Sequence, residues 1–248
     1  MARGEGPDVE VGRSGVRALC ATTMIGDRVR VGAEEDIGLL HDLLIEEETG
    51  AVLCGVVSRG GILEAGDTLF LAAWAAFRID TEANGFILSV PAEQLANAVT
   101  FNDAAWPDLS SPGALDEAFA MGSLPMHIPS NRRVLRLRSL VGEKVRGLDG
   151  AELGKLYEVI VEMPGGRATY ALVAFGGVLG LGERLLPVPF RILGFHTDGK
   201  DHLLDLTPER LEDAPAFEKE AWPNLADPAW GRRVHEFWTK PLLDLDIR

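Results

Sequence analysis

Five histidines, two cysteines and one glycine-rich stretch are the residues of this chain with the strongest claim to chemistry. Their spacing argues against most of it. His41, His127, His196, His202 and His235 are scattered, and only His196 and His202 flank a turn signal, Asp198-Gly199. A hairpin there would face two imidazoles across Asp198 and Asp201, but a tetrahedral metal site needs a fuller ligand set at ligand spacing. Cys20 and Cys54 form no metal-ligand pair and read as reduced thiols. The stretch GGVLGLGER, 176–184, suggests a phosphate cradle. It lacks the G-x-G-x-x-G spacing of a dinucleotide loop and the Lys-Ser/Thr of a P-loop, so its glycines read as a sharp bend between strands. No Ser or Cys stands in a nucleophile elbow, and no carboxylate pair is isolated among apolar residues. The runs Glu34-Glu35-Asp36 and Glu46-Glu47-Glu48 read as solvated turns. No catalytic residue, metal ligand or cofactor is therefore expected.

What remains is contact chemistry. Leu179, Leu181 and Leu185 lie on or beside the glycine-rich stretch, and Trp230 and Trp238 lie near the C-terminus. Large apolar side chains, Trp above all, dominate binding hot spots, so these five are the candidate partner contacts.

The elements that position them are written twice. Residues 25–109, shifted by 116, fall on 141–225 without a gap. Gly26, Gly38, Gly50, Gly60, Gly61 and Gly66 fall on Gly142, Gly154, Gly166, Gly176, Gly177 and Gly182. Phe101, Trp106, Pro107 and Leu109 fall on Phe217, Trp222, Pro223 and Leu225. Matched glycines imply matched turns, and a period this long is a duplicated domain rather than a solenoid unit. Trp106 and Trp222 read as residues that complete each copy's core. Asp42 and Glu158 recur as acids at one strand position, which suggests a shared structural bond. The cysteines do not recur: Cys20 aligns with Arg136 and Cys54 with Tyr170, so a disulfide common to both copies is excluded.

The chain divides into an N-terminus expected to be disordered (1–15), a first domain (16–109), a linker (110–131), a second domain (132–240) and a tail (241–248). Alternation over Val134–Leu140 and around Val159 and Val161 predicts half-buried strands, and the apolar runs Thr169–Phe175 and Val52–Ser58 predict strands covered on both sides. Turn signals recur at Thr49-Gly50, Asn84-Gly85, Asp149-Gly150 and Pro164-Gly165-Gly166. Short strands at this spacing predict a small barrel or sandwich. Thr207-Pro208-Glu209 predicts a capped helix with Leu211 inward, and Trp230 to Trp238 reads as a short amphipathic helix that copy one lacks.

The net charge of −14 argues against phosphate-tracking nucleic-acid contact and against adhesion to anionic membranes. No apolar run reaches the length of a membrane helix, and the first fifteen residues hold no apolar signal core, so a cytoplasmic location is expected.

Residues 140–193 closely resemble the PRC-barrel family, named from the cytoplasmic domain of the photosynthetic reaction-centre H subunit and found also in a ribosome-maturation factor. The resemblance rests on a G-x-x-V start, a D-G turn, an acidic Val-rich strand, F-G-G-x-L-G-x-G at Phe175–Gly182, and V-P followed by an aromatic, with Pro187 and Pro189 inside that last strand. The trailing F-x-x-x-x-W-P-x-L-x-D-P-x-W-G resembles the extension of free-standing bacterial members. Copy one departs: Arg59 replaces the aromatic before Gly-Gly, and Leu71 and Ala73 replace the two prolines. The resemblance implies an all-β fold with short helices, in two tandem small barrels each followed by a helical, aromatic extension. It implies a non-catalytic role in holding other proteins, with barrels that pair within the chain or between two chains. A reaction-centre-associated component and a ribosome-assembly accessory are the alternative expectations.

Overall fold

The computed structural model describes residues 17–32, 35–59, 68–81, 83–109, 133–177, 182–195, 201–225 and 227–239. The expected linker and tail, and Gly60, Gly61, Gly66, His127, His196, Leu179 and Leu181, lie outside the described residues.

Copy one supplies β1 (Arg17–Cys20), α1 (Ala21–Met24), β2 (Arg28–Val31), β3 (Glu35–Glu46), β4 (Val52–Arg59), β5 (Thr68–Ala73), β6 (Phe77–Asp80), β7 (Gly85–Leu88), α2 (Ala92–Ala96) and β8 (Thr100–Phe101). Copy two repeats the series as β9 (Val134–Arg136), α3 (Leu137–Leu140), β10 (Lys144–Gly147), β11 (Glu152–Met163), β12 (Arg167–Phe175), β13 (Arg184–Pro189), β14 (Gly194–Phe195), β15 (Asp201–Leu204), α4 (Pro208–Glu212) and β16 (Phe217–Glu218). It then adds α5 (Pro228–Thr239). The fold is mostly β, in two mixed sheets of eight strands each. Their strand orders are β6-β7-β2-β3-β4-β5-β8 and β14-β15-β10-β11-β12-β13-β16. The second order is the first moved on by one copy, so the matched glycines do report matched topology.

The remaining strand of each sheet comes from the other copy. β1 pairs antiparallel with β11, Leu19 opposite Val161 and Cys20 opposite Ile160. β9 pairs antiparallel with β3, Leu135 opposite Ile45 and Arg136 opposite Leu44. These registers are the same under the 116-residue shift, so the exchange is reciprocal, as in an isologous dimer interface. The twelve-residue strands β3 and β11 make it possible. Each carries bulges, one between Leu40 and Asp42 and its equivalent between Leu156 and Glu158, and a bulged strand bends. One half of each then pairs within its own copy, to β2 or β10, while the other half receives the exchanged strand.

Gly38 and Gly154 show why glycine recurs in these strands. Their φ values are +139° and +158°, and a Cβ would lie 1.8 Å from the Ser58 carbonyl oxygen and 2.1 Å from that of Ala174. No side chain fits between strands that close.

One local expectation changes. Val134–Leu140 is not one strand, because after Arg136 the chain turns into α3. Its apolar residues Leu137 and Leu140 both end buried, but at helical spacing. In copy one, α2 stands at the position of α4 although Pro91 replaces the capping Thr207. In α4 the Thr207 hydroxyl accepts from the Arg210 amide and Leu211 points inward, as expected.

A single apolar core runs through both copies, joining Val29, Leu40 and Leu43 to Val145, Leu156 and Val159. Two smaller clusters cover the outer faces, one on each sheet.

Candidate functional site

The repeated acids build the seam between the copies. α1 and α3 follow the exchanged strands, and their N-cap positions, Cys20 and Arg136, make no side-chain cap. The other copy supplies one. The Asp42 carboxylate accepts from the Arg138 amide at 3.0 Å and from its own neighbour Leu43 at 2.8 Å. The Glu158 carboxylate accepts from the Thr22 amide at 3.1 Å, from the Thr22 hydroxyl, and from the Val159 amide at 2.8 Å. A carboxylate at the first turn satisfies otherwise orphaned amides and complements the helix dipole. Arg138 and Thr22 are equivalent under the repeat, so the expected shared bond exists and crosses from copy to copy. Both acids are buried, and burial pushes both carboxyls above their ordinary values against these hydrogen bonds.

The turn glycines Gly50 and Gly166 meet at the same seam. The Val52 amide donates to the Gly166 carbonyl at 2.8 Å, and the Ala168 amide donates to the Gly50 carbonyl at 2.7 Å. A Cβ on Gly166 would lie 2.1 Å from the Trp74 ring, and one on Gly50 would lie 2.6 Å from the Ala168 carbonyl oxygen. Gly26 and Gly142, by contrast, open the turns after α1 and α3 at positive φ with free space around them.

On the outer face of copy two, α5 lies over β12 and β13. Asp227 caps it by accepting from the Ala229 amide at 2.9 Å. Trp230 is only 4% exposed, packed edge-on to Tyr170 at 5.1 Å between ring centroids. Leu185 is fully buried in the same cluster, beside Cys20 and Val234. Trp238 is half-buried, its indole N–H donating to the Pro187 carbonyl at 2.8 Å. The expected contact residues Leu185 and Trp230 therefore serve the chain's own core, because α5 folds back instead of projecting. Trp222 donates to the Lys219 carbonyl at 2.9 Å and packs on Phe217, as Trp106 packs on Phe101. Pro187 is buried and Pro189 half-buried in β13, while Gly176, Gly177 and Gly182 stand exposed at positive φ at the ends of the glycine-rich stretch.

The outer face of copy one carries a polar cluster that sequence reasoning missed. The Arg136 guanidinium stacks 3.4 Å from the Trp106 ring centroid. Asp103 accepts from the Trp106 indole N–H at 3.1 Å and lies 3.2 Å from His41 Nε2. Arg138 Nη1 lies 3.3 Å from the same imidazole nitrogen. Partial burial opposes ionisation of Asp103, but the Trp106 and His41 hydrogen bonds and the Arg136 charge together hold its carboxyl below the ordinary value. The signal lay in Arg136 and Arg138, cations that replace Cys20 and Thr22 of the other copy. In copy two the corresponding place holds Lys219, its ammonium 4.5 Å from the Tyr157 ring centroid.

His202 stands where copy one has Phe86. It is buried edge-on to Phe195, with Nε2 3.2 Å from the Leu140 carbonyl oxygen. Among the described residues no group of three or more His, Cys, Asp or Glu gathers to hold a metal ion, and no helix is long and apolar enough to cross a membrane. Cys20 and Cys54 are buried and joined in no disulfide, and burial pushes Cys54 well above its ordinary value.

A strand series beginning at β9, with the glycine pair and the proline strand in order, invites comparison with known families. Residues 132–211 match the PRC-barrel domain. The match runs from the exchanged strand through nearly all of α4 and stops short of α5. The PRC-barrel segment is thus not a self-contained sheet here, since its first strand, β9, completes the sheet of the other copy. No curated protein matches the chain.

Proposed function

We propose that the chain is a non-catalytic binding or assembly module made of two small PRC-type barrels, the first divergent. The observation that carries this reading is how the repeated residues are used. Asp42 and Glu158, Gly50 and Gly166, and the exchanged strands all hold one copy to the other. The two outer faces, by contrast, are unlike: the Arg136–Trp106–Asp103 cluster marks one and α5 covers the other. A rigid pair presenting two unlike faces suits holding two different surfaces at a fixed distance, where the second contact gains from effective concentration.

The test is affinity capture by the intact chain from native extract, with quantitative mass spectrometry. The reading expects a defined protein set retained through moderate salt and lost in an Arg136→Glu variant that stays folded. Retention of nothing above background, or turnover of a small-molecule substrate by the purified chain, would overturn it.

A further inference from the structure

An apolar crevice on copy one, between β5 and α2, is lined by Phe70, Leu88, Gln94, Leu95, Ala98 and Val99. Its enclosed space is about 30 Å³, so an occupant lies along its mouth rather than inside it. The chain shows what such a place holds, because the repeat builds it twice. In copy two the equivalent elements are β13 and α4, and the end of α5 is docked there. Trp238 donates to the Pro187 carbonyl of β13, while Arg210 of α4 donates to the Phe237 carbonyl at 2.8 Å and lies 5.0 Å from the Phe237 ring centroid. Both aromatic rings are half-buried against the shared core.

Under the 116-residue shift, Leu71 takes the place of Pro187 and Gln94 that of Arg210, and both line the crevice. The occupant is what changes. At the 116-residue offset the sequence has Met121 and Gly122 where copy two has Phe237 and Trp238, so the aromatic pair is not repeated. Val99, on the crevice rim, is 57% exposed, the second most exposed large apolar side chain among the described residues after Leu148.

We propose that this crevice receives a short amphipathic helix of a partner protein whose last turn carries adjacent aromatic residues, as Phe237-Trp238 do for copy two. The net charge of −14 favours a cationic segment, and α5 itself carries Arg232 and Arg233. The proposal rests on the binding-module reading and names one of its surfaces.

The probe is a synthetic peptide with the sequence of residues 227–239, titrated into the intact chain by calorimetry. Saturable one-to-one binding is expected. It should weaken about tenfold or more in the Val99→Lys chain, and equally in a peptide carrying Phe237→Ala and Trp238→Ala. Val99 is exposed, so the variant chain should keep its circular dichroism and melting temperature. No saturable binding, or binding unchanged in Val99→Lys, overturns the proposal; the second result would mean that the peptide displaces α5 from copy two. A chain that still captures partners from extract while ignoring the peptide loses this site alone and keeps the broader reading.

Discussion

At the scale of single residues the chain places titratable groups where charge is costly. Glu158 is buried with its carboxyl pushed above the ordinary value of 4.5 by that burial. A raised value in the folded state means stability that is complete below about pH 4.5 and lost as pH rises through the folded value. Glu158→Gln keeps an acceptor for the Thr22 amide, so its cost relative to the parent should shrink as pH rises from 4 to 7. Glu158→Ala leaves the amides uncapped as well, so at either pH it should cost about 1–2 kcal/mol more than Glu158→Gln, read from urea midpoints. His202 behaves in the opposite sense. Burial holds its imidazole below the ordinary 6.5, so its contribution is complete above about pH 6.5 and is lost as pH falls through the folded value. Charges near it, Glu143 and Asp201, pull the other way without overcoming burial. His202→Phe restores the residue type of copy one and should flatten the decline in melting temperature between pH 6.5 and 5. Gly166→Ala combines a φ of +63° with a Cβ inside the Trp74 ring. It should destabilise by about 1–3 kcal/mol or more, the usual cost of overpacking.

At the scale of elements, α5 and the exchanged strands owe their places to surfaces supplied from elsewhere in the chain. α5 is amphipathic in sequence, and that much predicts a helix with one apolar face. Whether the face meets a partner or its own sheet depends on where the following chain can reach. Here Ile160, Leu172 and Leu185 present a matching apolar surface under it. Trp230→Ala should therefore cost about 3–5 kcal/mol in unfolding free energy, the range for removing a buried aromatic, and not merely weaken binding. β1 is short and lies near the start of the chain, where fraying is the ordinary expectation. Paired along β11, its amides should instead exchange as slowly as those of the sheet it completes. Hydrogen exchange at Leu19 and Cys20 measures this, and rapid exchange there would mean that the exchanged strand does not hold.

At the scale of the whole molecule, a core continuous through both copies and two strands traded across the seam should make unfolding one event. Far-ultraviolet dichroism and tryptophan fluorescence should give coincident urea transitions, as two-state behaviour requires. Two separated transitions would mean that the copies fold as independent domains. Across this seam copy one lends β1 to the other sheet, copy two lends β9, and each caps the other's first helix.

The duplication, the turn positions, the mostly-β class, α4 with its Thr207 cap and the helical character of α5 were legible in the sequence. They depend on spacing, on glycine's tolerance of positive φ and on local capping, all properties of a few adjacent residues. Even the shared role of Asp42 and Glu158 could be read from their recurrence. Only the tertiary structure decided which copy each bond joins, because a strand's partner is set by long-range packing and not by its own residues. The burial of Leu185 and Trp230, the gathering of His41, Asp103 and Arg136 around Trp106, and the crevice beside α2 are of the same kind. Each brings together residues tens of positions apart on surfaces that exist only once β3 and β11 have bent and the copies have traded their first strands.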